Sequence, residues 1–116
     1  MKFIVLFLFL ILSSNSFAAG CNASGCTGKP SELFSNYYLT SFADGRVYLH
    51  MKDNISKQNM DCSLAEGVYA TLMSNHPLFK EIYSSLLSAT AMDRQVHMRI
   101  KNGSSNCEVA YVRLYM

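Results

Sequence analysis

The sequence predicts a small, mainly β fold carrying one helix after its third strand. Three observations lead there. Residues 45–52 (GRVYLHMK) and 95–101 (QVHMRIK) alternate strictly between apolar and polar, the period of a strand with one face in a core. Between them, Phe79, Ile82, Tyr83, Leu86 and Ala89 recur at helical spacing. Turn-forming residues stand at the junctions of these segments.

In order along the chain, the first residues read as an export signal. Lys2 supplies a small positive region, Phe3 to Leu12 is an unbroken apolar run, and small residues Ser16 and Ala18 predict cleavage after Ala18. A run of about ten residues is half of what a bilayer span needs, so no transmembrane segment is expected. Ala18-Ala19-Gly20-Cys21 also resembles a lipoprotein box, which would make Cys21 an acylated terminus and the protein lipid-anchored. The competing use of Cys21 is a disulfide.

Cleavage of the first 18 of 116 residues leaves enough chain for one domain. A core of that size is limited, and a secreted or periplasmic location makes cross-links available. The four cysteines permit three pairings. The favoured one is Cys21 with Cys26 and Cys62 with Cys107. No Cys/His spacing of a zinc site is present. Residues 19–34 are expected to be a looped arm with a cysteine pair and no core of its own, and residues 35–116 the domain proper.

Within that domain, 36–42 (NYYLTSF) is rich in strand-forming residues and Asp44-Gly45 signals a hairpin turn into 45–52. Residues 53–61 (DNISKQNMD) are a polar loop ahead of Cys62. A third strand is expected over 67–73 (GVYATLM), with Val68, Ala70 and Leu72 on one face. Asn75-His76-Pro77 opens a helix of about four turns through Ala91, since proline is tolerated in a first turn. Asp93-Arg94 turns the chain into the fourth strand, 95–101, and a loop at 102–106 (NGSSN) leads to a fifth, 107–115. In this last strand Ala110, Val112 and Leu114 are expected opposite Val109, Tyr111, Arg113 and Tyr115. Three strands, a helix and two strands is the order of a five-stranded OB-like barrel; a flatter antiparallel sheet with one packed helix is the rival architecture.

The polar faces of these strands collect Arg46, Tyr48, His50 and Lys52, then His97, Arg99 and Lys101, then Tyr111, Arg113 and Tyr115. Such a surface stacks on sugars or bases and attracts phosphate, carboxylate or sialic-type acids. Arg46, Tyr48, His50, Arg99 and Tyr111 are the candidate ligand contacts. A solvated strand face is the competing reading.

Overall charge narrows the partners. Loss of Lys2 from ten lysines and arginines leaves nine against eight acids, too balanced to predict a nucleic-acid partner. No HExxH, GxSxG or phosphate-cradling glycine loop is present, and oxidised cysteines supply no nucleophile. No enzyme activity and no cofactor is therefore expected. Seven methionines and three histidines raise Cu(I), but His50 and Met51 are adjacent on a strand, as are His97 and Met98, so each pair points to opposite faces. No metal site is expected. Glycosylation triplets stand at Asn22, Asn54 and Asn102.

The layout resembles the exported B subunits of bacterial A–B toxins, the subtilase and pertussis-like group. The carriers are the hairpin around Gly45, Cys62 before the third strand, the helix PLFKEIYSSLLSATA, the strand QVHMRI, and Cys107 opening the last strand. The resemblance implies an OB-type barrel, assembly into a pentamer with the helix of 79–92 toward its centre, and binding of a cell-surface glycan. It transfers no sugar-binding residue.

Overall fold

The computed structural model describes residues 18–40 and 45–116. The expected signal segment therefore lies outside the described residues, apart from Ala18, as does Asp44 of the expected hairpin turn.

Among the described residues the protein is mainly β, with nine strands in three sheets and two helices. Strands β1 (Gly20–Asn22) and β2 (Gly25–Gly28) are followed by the short helix α1 (Pro30–Leu33) and then by β3 (Phe34–Leu39) and β4 (Val47–Met51). Two 3₁₀ turns, Asp53–Ile55 and Lys57–Asn59, occupy the polar loop. After them come β5 (Cys62–Ser63), β6 (Tyr69–Leu72), helix α2 (Phe79–Met92), β7 (Val96–Ile100), β8 (Ser104–Ser105) and β9 (Val109–Leu114). The five expected strands correspond to β3, β4, β6, β7 and β9, with α2 between the third and fourth of them.

The sheets run β1-β2-β7-β9, β3-β4-β6, and a parallel β5-β8 pair. A parallel bridge between Thr71 and Glu108 ties β6 to the start of β9, where the Thr71 amide donates to the Cys107 carbonyl at 3.0 Å. The ladders do not close into one continuous barrel. They enclose a shared core, centred on Leu33, Leu49, Met51, Leu72, Leu86, Val96, Met98, Ile100 and Val109. Helix α2 covers it with Ile82, Leu86 and Ala89, and is tied to β3 where the Tyr37 hydroxyl lies 2.9 Å from that of Thr90, which donates to the Leu86 carbonyl.

The alternation read from the sequence holds in β4 and β7, where every second residue is buried. It fails at two bulges. In β3 the register skips Ser35, between Phe34↔Met51 and Asn36↔His50. In β9 it skips Ala110, between Ile100↔Val109 and Arg99↔Tyr111. An extra residue inverts the phase of the strand, so Val109 and Val112 both face the core side, against the expectation that they oppose each other. His76 holds the second bulge: its Nδ1 accepts from the Leu78 amide at 2.9 Å, leaving Nε2 to donate to the Ala110 carbonyl at 2.7 Å.

The N-terminal arm also departs from expectation. Residues 20–28 form a hairpin whose second strand joins β7 along four residue pairs, and Cys26 is fully buried in the core. Short, glycine-rich strands carry too little periodicity to be read from sequence, yet their backbone groups complete the sheet.

Both favoured disulfides are formed, Cys21–Cys26 and Cys62–Cys107. The sulfur of Cys21 is therefore engaged and leaves no thiol for acylation. Among the described residues no helix is long and apolar enough to cross a membrane.

Thr71 is fully buried and its hydroxyl has no hydrogen-bond partner. An unsatisfied buried hydroxyl carries its desolvation cost without return. Thr71→Val is expected to raise stability by about 1 kcal/mol, seen as a higher urea midpoint at unchanged slope. A lower midpoint would mean that the hydroxyl has a partner.

Candidate functional site

The five candidate contacts do not form one site. Arg46, Tyr48 and His50 belong to β4 or its entry, in the three-stranded sheet, whereas Arg99 and Tyr111 lie on β7 and β9, in the four-stranded one. Cross-strand pairing builds a distinct cluster on each outward face.

On the three-stranded sheet, registers Tyr38↔Tyr48↔Thr71 and Asn36↔His50↔Tyr69 give two rows on one face, outward except at the covered Thr71. Three tyrosines meet there. The Tyr38 and Tyr48 rings stack at 6.0 Å between centroids, Tyr48 and Tyr69 lie at 5.2 Å, and Tyr38 and Tyr69 at 6.4 Å. The His50 ring is 5.2 Å from Tyr69, and its Nδ1 is 3.2 Å from the side-chain amide of Asn36. At the other end the Arg46 guanidinium stands 6.0 Å from the centre of the Tyr48 ring, within cation–π range. Tyr38 is 45 % exposed, while Tyr48 and Tyr69 are half-buried by their neighbours. The result is a continuous aromatic platform with imidazole, amide and guanidinium groups at its margin. Tyr38 and Tyr69 are missing from the sequence-based contacts; Tyr69 follows from the alternation in β6, whereas the adjacent Tyr37 and Tyr38 leave the facing of β3 unmarked in the sequence.

Arg46 also borders an apolar groove of about 470 Å³, lined by Leu39, Thr40, Gly45, Val47, Phe79 and Tyr83. Its walls come from the hairpin end and from α2.

On the four-stranded sheet the outward rows are Thr27↔His97↔Arg113 and Gly25↔Arg99↔Tyr111. Thr27 Oγ1 lies 2.7 Å from His97 Nδ1, and the His97 and Tyr111 rings are 6.4 Å apart. Partial burial, then the nearby guanidinium groups of Arg113 and Arg99, hold the His97 pKa below that of a free imidazole. Folding thus favours the neutral ring. The unfolded chain takes up the proton first as pH falls, so His97 contributes stability above about pH 6.5 that is lost as pH drops toward its folded value. The groups facing the ring are Arg113 and Tyr111 from β9, Thr27 from β2, and Arg99 on its own strand. Between pH 7.5 and 5.5 the native protein is expected to lose more melting temperature than His97→Asn does, in a buffer free of polyvalent anions. Equal losses would remove His97 as a cause.

His50 and His97 stand in different sheets. Among the described residues no group of three or more His, Cys, Asp or Glu side chains is placed to hold a metal ion.

No family model, curated protein or solved structure matches this chain significantly.

Proposed function

We propose that the protein is an exported, non-catalytic, OB-like domain that binds carbohydrate on the tyrosine platform of the three-stranded sheet. The carrying observation is the juxtaposition of Tyr38, Tyr48 and Tyr69 within 5.2–6.4 Å of one another on an outward face. Aromatic rings offer flat apolar area to the C–H face of a sugar, and rigid side chains give up little entropy on binding. His50, Asn36 and Arg46 at the margin supply hydrogen bonds for hydroxyl or acid groups. Two disulfides support a location in an oxidising compartment, where free glycans and cell surfaces are the accessible partners.

The OB-like part of the proposal rests on the element order and on the parallel bridge that brings β6 beside β9. Kinship with toxin B subunits and ring assembly belong to the same reading. They draw support from the edge strand β3, where Leu39 is 60 % exposed.

The competing reading has an observation of its own. Cross-strand aromatic contacts stabilise a sheet without any ligand, and the Tyr48–Tyr69 pair qualifies. A glycan array probed with the oxidised protein decides between them, followed by titration of the best hit. The chain has no tryptophan and seven tyrosines, three of them in the platform, so the part of the tyrosine emission change that is lost in Tyr48→Ala reports on the platform. Tyr48→Ala is expected to weaken binding by about 2 kcal/mol, roughly 30-fold, as for a central aromatic contact. Retained affinity in a folded Tyr48→Ala, or an array without hits, would leave the tyrosines a structural role only.

A further inference from the structure

We propose that the outward face of β2, β7 and β9 is a second binding site, separate from the tyrosine platform, that takes an oxyanion group through Arg99, Arg113 and His97. Residues directly opposite on antiparallel strands have Cβ atoms about 5 Å apart. His97 faces Arg113 in this way, and Arg99 follows His97 by two residues on the same face. Three basic side chains therefore share one small area of sheet. Arg99 and Arg113 are diagonal neighbours on this face, where like charges repel, and the ion pairs Lys29–Asp93 and Lys57–Asp53 both lie elsewhere. Among the described residues, neither guanidinium has a carboxylate within ion-pair distance.

The surroundings suit a ligand better than bare solvent. The Tyr115 amide donates to the Gln95 carbonyl at 3.0 Å, which extends the β7–β9 pairing and puts Gln95 and Tyr115 on the same outward face as His97 and Arg113. There a groove is lined by Thr27, Gln95 and Tyr115. Thr27 belongs to both features, since its hydroxyl touches His97. Opposite Arg99 stands Gly25, which raises no side chain beside the guanidinium. The patch thus combines two planar, bidentate donors for sulfate, phosphate or carboxylate with an adjoining concavity of mixed polar and aromatic lining for whatever carries the anion.

Protonation follows from occupancy. Burial first, then the repulsion of Arg113 and Arg99, disfavours the charged His97 ring; an anion between the guanidinium groups offsets the second of these, so the ring takes up a proton more readily and becomes a third donor. By linkage, the anion binds more tightly as pH falls from 7.5 to 5.5. The groups that set this balance are Arg113 and Tyr111 on β9, Thr27 on β2 and Arg99 on β7.

The test is an NMR titration of the His97 ring carbon-bound protons in the full, oxidised protein with sodium sulfate, against sodium chloride at matched ionic strength. A saturable shift with sulfate and a His97 pKa raised by about one unit are expected; one unit means tenfold tighter binding to the imidazolium form. Arg99→Gln/Arg113→Gln should abolish saturation, whereas Lys80→Gln, on the exposed side of α2, should retain it. If the double variant does not fold, Arg113→Gln alone must weaken sulfate binding at least fivefold. Superimposable sulfate and chloride curves, or a folded arginine variant that titrates like the native protein, would overturn the site. The source of the anion is read in the same assay from a sulfated disaccharide and its desulfated form. A sulfated sugar that binds tenfold more tightly than inorganic sulfate supports the site with a saccharide as carrier, and equal affinities support it for the free ion. Loss of the tyrosine platform's function leaves these results unaffected, so the two readings fail separately.

Discussion

Removing the Cys62–Cys107 bridge is expected to lower stability by about 4 kcal/mol, the chain-entropy value for a loop of this length. The two cysteines are 45 residues apart, and the loop they close contains β6, α2 and β7. Without the cross-link the unfolded chain regains the freedom of that whole segment. The bridge also sits at a structural junction: Cys107 is fully buried, its carbonyl accepts from the Thr71 amide, and it opens the strand that joins the two large sheets. A domain of this size has about 5–15 kcal/mol to lose. Cys62→Ala/Cys107→Ala should therefore unfold at a much lower urea concentration, and in the same buffer the Cys21→Ala/Cys26→Ala variant should lose less. That smaller loop spans a separation of 5 residues, and loop entropy grows with length. An equal loss in the two variants would mean that the bridges act through native packing and not through the unfolded chain.

The second large effect is expected at Gly25. Its backbone has φ of 151°, and a Cβ placed there would come within 1.9 Å of the Met98 carbonyl oxygen. That oxygen belongs to the neighbouring strand, so it cannot move aside as a flexible side chain would. Gly25→Ala must push β2 away from β7, and overpacking together with a strained backbone costs about 3 kcal/mol. Because Gly25 lies opposite Arg99, the variant should also blunt the response of His97 to sulfate. The readouts are the urea midpoint and amide exchange along β2 and β7. A variant as stable as the native protein, with protected β2 amides, would show that the sheet accommodates the methyl group.

These two positions illustrate how unevenly the sequence reveals the structure. The cysteine pairing was legible, since four cysteines in an export context leave few choices and the structure adopts the favoured one. Gly25 was not. In sequence it is one of several glycines in a small-residue segment, and only the proximity of Met98, 73 positions along the chain, makes it irreplaceable. The candidate site behaves likewise. Alternation identified Arg46, Tyr48, His50, Arg99 and Tyr111 as outward residues. It carried no information on which strands are neighbours, so residues from two different sheets were grouped together.

By itself the sequence determined the mainly β character of the chain, the position of α2 between its third and fourth main strands, the buried faces of β4 and β7, and the two disulfides. Each depends on local periodicity or on a chemistry that few residues can supply. The tertiary structure alone decided the bulges at Ser35 and Ala110, the recruitment of the N-terminal hairpin into the larger sheet, and the division of the outward residues into a tyrosine platform and a basic patch. Those features arise from pairing between distant strands, where one inserted residue reverses a face and hydrogen-bond geometry selects the partner.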